Sequence, residues 1–187
     1  YTVDLDLTAS DTTVGSTATF RSTTTVRFSA TPGASTFIDL IAPAVTSIVL
    51  NGEPLDPATH FSDSRIALPA LAAANELTVV ADCADMNTGE GLHRFVDPED
   101  GEVYLYSQFE VADTRRVYAV FEQPDLKARW RFVVIAPDGW QVLSNGAEAA
   151  REPVEGGVRV AFAETLPLSS YITAVAAGPY HRVEGVW

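Results

Sequence analysis

The chain of 187 residues has one cysteine, Cys83, so it can hold no internal disulfide, and a lone thiol fits a reducing compartment such as the cytoplasm. Its three histidines, His60, His93 and His181, stand more than four residues apart, and no H-E-x-x-H occurs, so no metal-ligand spacing is present. Basic residues number 12 against 25 acidic ones. The resulting charge of −13 would be repelled by nucleic acid and by an anionic membrane surface, and neither is expected as a partner. No apolar run approaches the roughly 20 residues of a membrane helix. Nucleophile-elbow, phosphate-loop and dinucleotide fingerprints are all missing, and Cys83 has no activating neighbour in sequence.

With 47% hydrophobic and 20% charged residues, the composition is that of a folded globular protein, and the length suits one domain with a sizeable core. The dominant period is two. In Tyr1-Thr2-Val3-Asp4-Leu5-Asp6-Leu7 the odd positions are apolar and the even ones polar, the pattern of a half-buried strand. Ala18 to Phe28 alternates too, with Phe20, Val26 and Phe28 in phase. Val45 to Leu50 runs into Asn51-Gly52, a hairpin signal because both residues tolerate positive φ. Further strands are predicted over Glu76 to Ala81, Leu92 to Val96, Val103 to Phe109, Arg129 to Ile135, Val158 to Phe162 and Tyr171 to Ala176. Thr31-Pro32-Gly33, Asp97-Pro98, Pro137-Asp138-Gly139, Asn145-Gly146 and Glu155-Gly156-Gly157 separate them as turns. Helical turns are expected only within Val111 to Ala119 and Pro124 to Ala128. The expected fold is all-β, a sandwich or curved set of mostly antiparallel sheets.

Strand parity singles out one stretch. In Val103-Tyr104-Leu105-Tyr106-Ser107-Gln108-Phe109-Glu110, side chains alternate across the strand, so Tyr104, Tyr106, Gln108 and Glu110 share one face. Val103, Leu105 and Phe109 share the other, the core face. An amide and a carboxylate at a strand end can receive a cationic ammonium, the carboxylate supplying charge and the amide oxygen a directed acceptor. The same residues also read as the ordinary polar face of a strand. Glu110 and Glu122 could form a glycosidase acid–base pair, a pairing expected by chance in an acidic chain. Tyr104 and Tyr106 could serve a non-catalytic β-sandwich binding module for sugar or protein.

The run from Tyr104 to Ala128 resembles a signature block of the aminopeptidase N family of zinc metallo-aminopeptidases. There a T-Q-x-E strand precedes an A-R-x-x-F segment and a D-E-P-x-x-K-A turn. Gly89-Glu90-Gly91-Leu92-His93-Arg94 is similar to the glycine-bounded segment leading into that strand. Trp140-Gln141-Val142-Leu143-Ser144-Asn145-Gly146 resembles the A-L-S-N element, and Leu166 to Gly178 the P-M-S-T-Y-L-x-A-x-x-x-G strand. Ser107 departs from the usual threonine, and Glu122-Gln123 from the usual Asp-Glu.

The resemblance implies that residues 1–187 form a single, saddle-like N-terminal β domain of a larger aminopeptidase, with the zinc-bearing catalytic domain outside this chain. On that reading the chain alone has no peptidase activity, and its partners are its own catalytic domain and the peptide N-terminus. The family's amine-binding glutamate falls on Glu110, and the glutamine lining the first specificity pocket falls on Gln108. No catalytic residue and no metal ligand are assigned to this chain; zinc belongs to the full-length enzyme. Arg115 and Arg116 read as scaffold, tying the turn to neighbouring carboxylates.

Overall fold

Alternation decides what is buried. Val3, Leu5 and Leu7 point into the interior while Asp4 and Asp6 stay partly exposed, and the second strand repeats the pattern with Phe20 and Val26. The computed structural model describes residues 1–12, 19–183 and 185. Ala18, at the start of one predicted strand, lies outside the described residues.

The strands are β1 (Thr2–Asp6), β2 (Thr19–Ser29), β3 (Thr36–Asp39), β4 (Ala44–Leu50), β5 (Glu53–Leu55), β6 (Phe61–Ser62), β7 (Arg65–Leu68) and β8 (Ala74–Ala84). They continue with β9 (Gly91–Val96), β10 (Val103–Gln108), β11 (Arg131–Ala136), β12 (Gln141–Ser144), β13 (Glu148–Val154), β14 (Gly157–Phe162) and β15 (Val175–Gly178). Two single-turn helices, α1 (Thr8–Thr12) and α2 (Pro57–His60), and two 3-10 turns, Thr114–Arg116 and Ser170–Ile172, complete the described elements.

An eight-stranded sheet runs β13-β14-β11-β1-β2-β8-β4-β5, a four-stranded sheet β12-β15-β10-β9, and a three-stranded sheet β3-β7-β6. Among the described strands only β1 and β11 pair in parallel, with Val3 opposite Phe132 and Leu5 opposite Val134. The architecture is the all-β sandwich expected. Asn51 (φ 54°) and Gly52 (φ 84°) close the β4–β5 hairpin with two left-handed residues, the geometry that matches strand twist.

An aromatic cluster joins the large sheet to the four-stranded one. The buried Tyr118 ring lies 5.6 Å from Trp130, 5.9 Å from Phe132 and 6.0 Å from Phe109, the residue that follows β10. Tyr1 stacks on Trp130 at 4.0 Å. The Thr173 hydroxyl donates to Ser170 O (2.7 Å), so the Tyr118 hydroxyl donates to Thr173 Oγ1 (2.6 Å). These bonds hold the segment before β15 against the core.

That segment departs from the predicted strand Tyr171 to Ala176: a 3-10 turn covers Ser170–Ile172 and the strand begins at Val175. Buried hydroxyls of Ser170 and Thr173 offer local acceptors and donors that compete with ladder pairing. Val111 to Ala119 does hold a 3-10 turn, but Pro124 to Ala128 is a non-helical turn. Asn145-Gly146 joins β12 to β13 without making a hairpin, because those strands belong to different sheets. Cys83 is fully buried, and burial, with Asp82 adding to it, pushes its thiol up to about 12, so it is chemically quiet.

Asp85, just past β8, is 7% exposed, and its two oxygens lack a well-formed hydrogen bond among the described residues. Burial pushes it up to about 6, against the pull of the Ser10 hydroxyl and of Arg94. A folded-state value above the unfolded one means that the native state holds the extra proton between about pH 4 and 6. Stability therefore falls as pH rises through that window, by on the order of 3 kcal/mol. Asp85→Asn should raise the urea midpoint at pH 7, and most of that advantage should be gone by pH 4.5. A gap between variant and parent that does not change with pH would contradict this.

Candidate functional site

The core face of β10 is buried through Val103 and Leu105, with Phe109 continuing it, while Tyr106, Gln108 and Glu110 are exposed on the opposite side. Gln108 ends the strand and pairs with Gly91, the first residue of β9. Glu110 opens the turn formed by residues 110–113. Gln108 Oε1 accepts the Glu110 N–H at 2.7 Å, so the amide oxygen expected to face a ligand instead fastens the backbone that carries the carboxylate. Its second lone pair and its NH2 group remain available. The Glu110 carboxylate itself takes no hydrogen bond or ion pair among the described residues.

The carboxylates around it are committed. Arg116 Nε donates to Asp113 Oδ1 (2.7 Å) and its Nη2 lies 3.2 Å from Glu90 Oε2. Arg115 donates from its backbone to Glu122 Oε2 (2.8 Å) and from Nε to Ala112 O (3.0 Å). Glu122 Oε1 accepts from the Ser170 hydroxyl at 3.0 Å. Burial pushes the Glu122 carboxyl above its ordinary range, and the Arg115 N–H pulls it partly back. Glu122 is thus a tie between the turn and the Ser170 segment, which leaves no free pair with Glu110 for acid–base chemistry. The Ser107 hydroxyl accepts the Val175 N–H at 2.8 Å, so the serine joins β10 to β15.

Behind the turn, a cleft of about 390 Å³ is bordered by Asp39, Arg65, Arg115 and Glu122. Its charges are matched, since Asp39 Oδ1 lies 3.4 Å from Arg65 Nε and 3.9 Å from Arg115 Nη1. On the outer face of the four-stranded sheet, the register sets Leu143, Ala176, Tyr106 and His93 in one row across β12, β15, β10 and β9. Leu143 is 61% exposed and Tyr106 43%. The Tyr104 hydroxyl donates to Asp100 Oδ2 (2.9 Å) and its ring packs edge-on to Tyr180, so it is engaged internally. His93 packs beside Tyr106 at 4.8 Å and its Nδ1 accepts the Gly89 N–H at 3.0 Å.

Among the described residues, no three His, Cys, Asp or Glu side chains gather as metal ligands, and no helix is long and apolar enough to cross a membrane. Sequence reasoning named Gln108 and Glu110 but missed the contact between Gly91 and Arg116. The glycine-bounded run Gly89-Glu90-Gly91 was its only sequence signal.

Residues 77–172 match the family described as the Peptidase M1 N-terminal domain, an interval that contains Gln108, Glu110 and the whole turn. Across its full length the chain is 54% identical, over 189 aligned positions, to Aminopeptidase N of Streptomyces lividans, and it covers 21% of that protein. It is 33% identical over 124 residues (64% of this chain, 14% of the other) to the Probable M1 family aminopeptidase 2 of Encephalitozoon cuniculi. It is 37% identical over 83 residues (43% and 23%) to Aminopeptidase N of Acetobacter pasteurianus. The chain spans less than a quarter of the length of each of these relatives.

Proposed function

We propose, since the chain belongs to the peptidase M1 family as an N-terminal domain, that it is the part of a longer aminopeptidase that holds the substrate's free α-amine on Glu110. The observation that carries this reading is the unpartnered Glu110 carboxylate at the end of β10, set among carboxylates that already have partners. A substrate ammonium meeting this surface finds in Glu110 a carboxylate with no hydrogen bond or ion pair among the described residues. Glu110 ties down the first residue of the peptide, and a blocked N-terminus leaves the carboxylate unpaired, so such substrates are rejected. Gln108, beside it, lines the pocket for the first side chain.

Zinc, as the family resemblance implies, belongs to the remainder of the protein; the described residues of this chain offer no ligand set for it. We assign the outer face of the four-stranded sheet, with Tyr106 and Leu143 exposed, to contact with the catalytic domain. A cytoplasmic setting suits the unpaired Cys83.

The test uses the whole protein and two inhibitors that differ only in the amine, leucinol and 4-methylpentan-1-ol. A charge-assisted hydrogen bond is worth about 1.5–3 kcal/mol, so leucinol should bind about 10- to 100-fold more tightly. Equal inhibition constants would overturn the proposal.

A further inference from the structure

We propose that Arg116, admitted by the missing side chain of Gly91, is a positioning residue that sets where the Glu110 carboxylate stands; this rests on the amine-binding reading of Glu110. Gly91 and Gln108 are cross-strand partners, so a side chain at 91 would project on the same face as that of Gln108. That space belongs to Arg116. A Cβ built on Gly91 would stand 2.8 Å from Arg116 Cβ and 3.2 Å from its Cδ, and the glycine has a left-handed φ of 62°. The Arg116 stem therefore lies against the start of β9, at the residue that pairs with Gln108.

From there its guanidinium bridges two segments. It donates to Asp113, the last residue of the turn that Glu110 opens, and it reaches Glu90, the residue before β9. The Arg116 N–H also donates to Asp113 O at 3.1 Å. The turn is thus fixed at one end by the Gln108–Glu110 hydrogen bond and at the other by Arg116. By pairing with both Asp113 and Glu90, the same guanidinium engages the carboxylates of these two segments, while Glu110 keeps no ion pair among the described residues. An arginine suits the task because its planar fork serves two carboxylates at once, which a lysine ammonium does less well.

The experiment is a double-mutant cycle in the whole protein, read as kcat/KM on an amino-acid 4-nitroanilide, with thermal melting followed in parallel. Arg116→Gln should lower kcat/KM about tenfold, and Arg116→Lys should recover part of the loss. Gly91→Ala, which keeps every charge, should lower it as well by displacing the Arg116 stem. In a Glu110→Ala background, Arg116→Gln should change kcat/KM less than twofold, because an effect exerted through Glu110 vanishes with it. A loss that is the same with and without Glu110 would overturn the positioning role, even where the variants melt early. If Glu110→Ala lowers activity while Arg116→Gln and Gly91→Ala do not, the positioning role alone fails. If Glu110→Ala itself has no effect, the amine-binding reading fails first.

Discussion

Replacing Glu110 by alanine should lower kcat/KM of the whole protein by about two to three and a half decades. Glu110 lies exposed in this chain, and a substrate ammonium seated against it, with the rest of the peptide in place, would exclude water from the pair. Removing one partner of a desolvated pair costs about 3–5 kcal/mol, which converts to that range of rate. The folded chain should hardly notice, because the carboxylate makes no contact that the fold uses, and exposed substitutions of this kind stay within about 0.5 kcal/mol. Steady-state kinetics with thermal melting in parallel separate the two effects. A loss below about threefold would remove Glu110 from the site, and a collapse of the fold would make it a structural residue.

The second large effect concerns stability. Trp130→Ala should destabilise the chain by about 3–5 kcal/mol, a substantial part of the roughly 5–15 kcal/mol that holds a typical domain together. Trp130 is 1% exposed, stacks on Tyr1 at 4.0 Å and faces Tyr118 at 5.6 Å. Its indole N–H donates to Leu168 O (3.1 Å) and its backbone N–H to Thr165 Oγ1 (3.1 Å). One side chain thus joins the start of β11 to the segment that carries Ser170 and, through it, Glu122 and the turn. Alanine would leave a cavity at this junction and remove one of the two hydrogen bonds that the Leu168 carbonyl accepts, the other coming from the Ala128 N–H (3.1 Å). Trp130→Phe should lose only the hydrogen bond and part of the volume, with a smaller shift. Urea unfolding measures both; a change under about 1 kcal/mol for the alanine variant would show that the aromatic cluster is not the junction it is taken to be.

Much of this was legible in the sequence, for identifiable reasons. β1 and β2 announce themselves because one face meets the core and the other meets solvent, so burial writes a period of two. The Asn51-Gly52 hairpin is legible because its backbone requires residues that accept positive φ. The side of β10 that carries Tyr106 and Gln108, and on which Glu110 follows in the turn, accords with the same parity. β3, β6 and β7 were invisible: they are two to four residues long, and β3 is held in part by the bridge between Asp39 and Val120, a contact across 81 positions. The loss of strand at Tyr171 depends on where Ser170 and Thr173 find Glu122 and Tyr118, also distant in sequence. Gly91 and Arg116 lie 25 positions apart, and no local pattern tells that one makes room for the other. Gln108 differs, since its contact is local: one lone pair of its oxygen takes the Glu110 N–H two residues away, and the other is left for a ligand.

The central claim, that Glu110 receives the α-amine, is tested most directly by measuring leucinol and 4-methylpentan-1-ol inhibition constants on the Glu110→Ala whole protein beside the parent. The expected result is that leucinol alone weakens, so that the gap between the two closes to within about twofold, since the lost interaction is made only by the amine. A gap that persists in the variant, or an equal weakening of both inhibitors, would contradict it.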